Sequence, residues 1–138
     1  MSQFKNIRFE ASETDLAQEA LAELTAIYGQ SEASRADVVV ALGGDGFMLQ
    51  TIHDTFDSKL PIFGMNKGTV GFLMNTYSPD ELPKRLTDAI YTDIAPLRMV
   101  ATDVHGQQHT ALAINEVSLL RQSYQAARLD IFVDGHRR

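Results

Sequence analysis

Apolar and polar positions change their period along the chain, and each change marks an element. Ile7-Arg8-Phe9-Glu10-Ala11 alternates, which predicts a strand with one buried face. Leu16, Ala20, Leu24 and Tyr28 then recur every fourth residue, with Ala17 and Leu21 beside them. That spacing predicts one buried face of an amphipathic helix. Ser12 is the expected N-cap, Glu13 and Asp15 suit the positive end of the helix dipole, and Gly29 ends the helix. Val38–Leu42 is a short unbroken apolar run, the signature of a strand buried on both faces. The segment from about Gly46 to Phe56 reads as the second helix. Pro61-Ile62-Phe63-Gly64-Met65 is a third strand. Ser78-Pro79-Asp80-Glu81 has the form of a capping box with proline at the first helical position, and predicts a third helix running to about Tyr91.

From Ile94 to Val133 no helical period survives. Leu97–Asp103 and Thr110–Ile114 read as two strands around the polar turn Val104-His105-Gly106-Gln107. Arg128–Val133 alternates again and runs into Asp134-Gly135, a hairpin-turn dipeptide. The expected class is α/β: a Rossmann-like open parallel sheet with helices over residues 1–97, then the first antiparallel strands of a β-rich unit over 98–138. Only His136-Arg137-Arg138 follow the last turn, too few for a full return strand. The strand near Leu129–Val133 is therefore expected to lie unpaired, and the chain to be the front part of a longer protein or to pair with another chain.

Composition narrows the function classes. With 44% hydrophobic residues the chain is globular, and its formal charge of −6 argues against nucleic acid or a membrane surface as partner. Cysteine is absent, which excludes disulfides, a thiol nucleophile and a cysteine–zinc site. No apolar run is long enough to span a bilayer, and the N-terminus carries no apolar signal region, so the expected location is the cytoplasm.

Candidate chemistry concentrates after the predicted strands. Gly43-Gly44-Asp45-Gly46 joins the second strand to the second helix, the layout in which backbone N–H groups and a helix N-terminus meet phosphate oxygens. It is neither the dinucleotide fingerprint, which needs glycine where Leu49 stands, nor a Walker loop. Asp45 puts a carboxylate where phosphates should approach. It then either holds a metal, takes a proton from a nucleophile, or merely caps the helix. Asn66-x-Gly68-x-x-Gly71-Phe72-Leu73 follows the third strand and should share the same sheet edge. It is either a second ligand loop or an ordinary strand exit with Phe72 and Leu73 in the core. Asn115-Glu116 supplies donors and acceptors suited to hydroxyls or a base edge, or is a solvated turn. His105, His109 and His53 read as surface residues.

Together and in this order, Gly43-Gly44-Asp45-Gly46, Asn66-Lys67-Gly68-Thr69-Val70-Gly71-Phe72-Leu73 and Asn115-Glu116-Val117 resemble the NAD kinase family. The first motif is shared with lipid kinases and phosphofructokinases; the second and third make the resemblance specific. It covers about Val38 to Val133. The resemblance implies phosphoryl transfer from ATP, or polyphosphate, to the adenosine-ribose 2′-hydroxyl of NAD. It implies Asp45 as proton acceptor, and a ligand site formed by Gly43, Gly44, Asp45, Gly46, Asn66, Gly68, Phe72, Asn115 and Glu116. It further implies a divalent cation, Mg²⁺ first in line, on the phosphates, and a homodimer or homotetramer. No residue is assigned as a metal ligand. Two features depart from the family pattern. Phe47 stands where many members carry threonine, and the glycine-, serine- and threonine-containing segment of the family's β-rich part has no match here. A related lipid or sugar kinase and a non-catalytic nucleotide-binding fragment are the alternatives.

Overall fold

The computed structural model describes residues 4–68 and 71–138. Thr69 and Val70 of the second motif lie outside the described residues. Parallel strands β1 (Ile7–Ala11), β2 (Val38–Gly43), β3 (Ile62–Asn66) and β4 (Asn75–Thr76) form one sheet in the order β1-β2-β3-β4. Every residue of β2 is buried, as a central parallel strand requires. Its side chains alternate between faces. Val38, Val40 and Leu42 join a core with Ala17, Ala20 and Leu24 of helix α1 (Asp15–Tyr28) and Leu82 and Leu86 of helix α3 (Leu82–Asp88). Ala41 points the other way, beside Gly64, whose missing side chain leaves room for the sulfurs of Met48 and Met74. Met48 belongs to helix α2 (Asp45–Asp54), so helices cover both faces of the sheet.

Several boundaries differ from the sequence reading. The N-cap of α1 is Thr14; the Ser12 hydroxyl lies 3.2 Å from that of Thr14 instead. The buried face of α1 is carried by Ala17, Ala20 and Leu24, while Leu16 at the helix start is 60% exposed. The predicted capping box does not form. Ser78 Oγ accepts the N–H of Asp80 in a local turn, and Glu81 takes a left-handed φ of 51° as the N-cap. A left-handed residue breaks the helical path, so α3 starts at Leu82 with Pro83 in its first turn, and it ends at Asp88. Strand β4 has no apolar pattern; its two residues are placed by parallel pairing with Met65 and Asn66.

Beyond α3 the pairing becomes antiparallel. Strands β5 (Leu97–Thr102) and β6 (Gln108–Ala113) pair from Leu97↔Ala113 to Thr102↔Gln108. Their turn is built by Asp103, whose Oδ1 accepts the N–H groups of His105 and Gln107, and by Gly106 at φ 81°. The last predicted strand shrinks to β7 (Phe132–Val133), and it is paired: His136–Arg137 return as β8. Asp134 and Gly135 have φ of 50° and 78°, the double left-handed turn that their dipeptide favours. Three residues after the turn thus suffice for a minimal hairpin.

Candidate functional site

The carboxyl ends of β2 and β3 lie side by side, with Gly43 in register with Asn66. The backbone N–H of Lys67 donates to the Gly43 carbonyl at 2.9 Å, which extends this pairing into the loops. The two glycine loops therefore share one edge, as their positions after successive parallel strands predict.

Asp45 occupies the first turn of α2, and Gly44 is its N-cap. The helix-cap reading of Asp45 is thereby corrected: its side chain reaches across to the other loop. Oδ2 accepts the N–H of Phe72 at 2.8 Å, and Oδ1 accepts the N–H of Leu73 at 3.0 Å. A carboxylate has about four lone-pair positions, so each oxygen keeps one free. Its charge also sits favourably at the positive end of α2. Gly71 makes this approach possible. A Cβ there would stand 2.3 Å from Asp45 Oδ1 and 2.7 Å from its Cγ.

The glycines of the first turn have different reasons. A Cβ on Gly43 would meet Phe47 Cβ at 2.9 Å, so the Phe47 ring packs over Gly43. Gly44 and Gly46 have nothing within 4 Å of a built Cβ. Neither has a positive φ, so neither is demanded by the backbone; their missing side chains leave open space before the turn. Asn66 Oδ1 accepts the N–H of Gly68 at 2.8 Å in a local turn at the start of the second loop. Gly68 in turn approaches Gly44, whose Cα and N lie 3.8 Å from a built Cβ.

Phe72 and Leu73 are not in the core. The Phe72 side chain is fully exposed, although its N–H is bound to Asp45, and Leu73 is 42% exposed. The alternative that places both residues in the core is thereby corrected.

Asn115 and Glu116 follow β6 and are exposed; Asn115 Nδ2 donates to Glu116 Oε2. No described hydrogen bond joins them to Asp45. Residues Thr110, Ala111, Leu112 and Ile114 instead border a groove with His53, Phe56 and Asp57 at the far end of α2. His53 is about 12 Å along the helix from Asp45. The structure thus brings together the first two motifs, and among the described residues no hydrogen bond joins the third to them.

Sequence reasoning named the loop of Gly71 but not the close approach of that glycine to Asp45, nor the pairing of Lys67 with Tyr77. Lys67 Nζ stands 3.6 Å from the centroid of the Tyr77 ring, and the Tyr77 hydroxyl donates to Glu23 of α1 at 2.5 Å. Burial and this bond push the Tyr77 phenol well above its ordinary range. Among the described residues there is no group of three His, Asp or Glu side chains placed for a metal ion, and no helix is long and apolar enough to cross a membrane.

The model of the ATP-NAD kinase N-terminal domain matches residues 2–94. Over 135 residues the chain is 52% identical to a protein of Rhizobium meliloti named NAD kinase, covering 98% of this chain and 52% of that one. It is 54% identical over 129 residues to a NAD kinase of Caulobacter vibrioides, covering 94% and 50% of the two chains. It is 55% identical over 127 residues to a NAD kinase of Rhizorhabdus wittichii, covering 91% and 49%. The chain spans about half the length of the curated relatives it matches.

Proposed function

Since the chain belongs to the ATP-NAD kinase family, we propose that it acts in transferring the γ-phosphoryl group of ATP to the adenosine-ribose 2′-hydroxyl of NAD. The observation that carries this reading is the Asp45 carboxylate, fixed by two backbone N–H groups at the edge where both glycine loops meet. Phosphoryl transfer needs little covalent help from a protein; it needs positioning and a place for the proton. Asp45 supplies that place. One of its free lone pairs takes the 2′-hydroxyl proton as the ribose oxygen bonds to the γ-phosphorus and the bond to the ADP oxygen breaks. The two backbone donors hold the carboxylate at one orientation, so no reorganisation is needed when the hydroxyl arrives.

The open space before Gly44 and Gly46 admits phosphates to the backbone N–H groups at the start of α2. Asn66 and Gly68 shape the second wall, and the exposed Phe72 ring offers a face on which a base can stack. Asn115 and Glu116 bind NAD hydroxyls or its base edge from the antiparallel part. A divalent cation would enter on the donor's phosphates and offset their charge, the common mode for Mg²⁺, which takes few protein ligands. Residues 1–97 act as the nucleotide-kinase part and 98–138 as the start of the NAD-binding part, in a cytoplasmic homodimer or homotetramer. The same reading favours small-molecule partners over nucleic acid.

The test is NADP formation from NAD, ATP and Mg²⁺, read with an NADP-specific dehydrogenase. It is run on this chain and on a chimera in which the chain replaces the 135 matching residues of the Rhizobium meliloti relative. ATP-dependent NADP from either supports the reading; none from both overturns it.

A further inference from the structure

The sheet edge that carries the glycine turn also carries a fixed acid and, next to it in the second loop, a cation with no acid partner among the described residues. Asp45 is bound to the second loop. Lys67 follows Asn66 at the end of β3, with its backbone N–H on the Gly43 carbonyl. Successive side chains of an extended segment alternate, so Lys67 is directed to the face opposite Asn66. That face is the α1 face, where its ammonium rests on the Tyr77 ring. The ring is held in turn by the bond from its hydroxyl to Glu23 of α1. Among the described residues Lys67 forms no salt bridge.

We propose that Lys67 is the docking cation for the triphosphate of the phosphoryl donor, held on the face of Tyr77 until the donor binds. This rests on the kinase reading given above. A polyanion approaching this edge meets the negative Asp45 in a protein of net charge −6, so backbone N–H groups alone face an opposing charge. Lysine is a point charge on a flexible stem and can change partners by rotating that stem. Its attraction to a ring face is weak when solvent is near, whereas ammonium–phosphate hydrogen bonds are charge-assisted and strong. The exchange from ring to phosphate is therefore favourable. The ring gives the ammonium a resting partner other than a carboxylate.

ATP, tripolyphosphate and NAD are titrated calorimetrically into the wild-type protein, Lys67→Met and Lys67→Arg. Lys67→Met should weaken ATP and tripolyphosphate about tenfold, as expected for one lost charge-assisted bond, and leave NAD within about twofold. Lys67→Arg keeps the charge and the ring contact, and should bind ATP within about threefold of wild type. Melting curves show whether each variant is folded, and the arginine variant keeps the result readable if the methionine variant is not. Equal ATP affinity in wild type and Lys67→Met would overturn the proposal. So would equal weakening of ATP and NAD, or no tripolyphosphate binding by the wild type. Lys67-dependent tripolyphosphate binding without NADP formation would keep this inference and remove the kinase reading.

Discussion

At the scale of single residues, Gly71 and Asp45 form one unit. A methyl group on residue 71 would fall within 2.3 Å of Asp45 Oδ1. The carboxylate is the free end of a side chain, so it can rotate away and spare the backbone. Gly71→Ala should therefore fold, melt within a few degrees of wild type, and lose turnover by about 10²-fold, the cost of a misplaced reacting group. A crystal structure of the variant should show Asp45 released from the Phe72 and Leu73 N–H groups. Asn115 and Glu116 give a second test. Each Ala variant should weaken NAD binding by about 1–3 kcal/mol while ATP affinity holds. Unchanged NAD affinity in both would remove the pair from the site. The glycine turn and its carboxylate were legible in the sequence, because strand, glycines and helix are local features. The bond from Asp45 to Phe72 and Leu73 was not. It depends on two loops 27 and 28 residues apart meeting at one sheet edge.

At the scale of elements, legibility followed burial. β2 could be read because every residue in it is apolar or glycine and the strand is buried on both faces. β4 could not, since Asn75 and Thr76 carry no pattern and the strand exists through its pairing with β3. The start of α3 was misplaced because Glu81 adopts a left-handed conformation that is atypical of a non-glycine residue. Arg85 then secures the connection from outside: its guanidinium donates to the carbonyls of Thr76 and Ser78 at 2.6 and 2.9 Å and lies over the Phe63 ring. The β5–β6 turn carries a pH prediction. Backbone donation from Gln107, then the His109 side chain and the His105 N–H, hold the Asp103 carboxyl below its ordinary pKa of 3.8. Folding thus disfavours protonation of Asp103. Its contribution to the hairpin is complete above pH 3.8 and is lost as pH falls through the lower folded value. Amide exchange at His105 and Gln107 should accelerate across that acidic window, and Asp103→Asn should flatten the dependence.

At the scale of the whole molecule, the two parts of the chain differ in burial. Among the described residues, the buried apolar side chains of the core, from Phe4 to Leu86, lie in the parallel sheet, its helices and the segment that leads into β1. Leu119, Leu120, Tyr124, Leu129, Ile131 and Phe132 are instead exposed by more than half. Large apolar groups in this number at a surface favour association. Light scattering of the 138-residue chain should therefore rise with concentration, and Leu119→Ser with Leu120→Ser should reduce it; concentration-independent scattering would contradict this. The central claim is that Asp45 serves as a base and not merely as a tie between loops. Asparagine has one acceptor oxygen and a donating amide, so Asp45→Asn keeps one of the two loop bonds and loses the other. The stability lost should be about 1 kcal/mol, while loss of a general base costs about 10²–10⁴-fold in rate. The direct measurement compares ATP-dependent NADP formation by wild type and Asp45→Asn in the Rhizobium meliloti chimera, with melting temperature and ATP affinity recorded alongside. A fall in turnover of about 10²-fold or more, with ATP affinity kept and a small drop in melting temperature, is the predicted result. A folded Asp45→Asn variant turning over at the wild-type rate would contradict it.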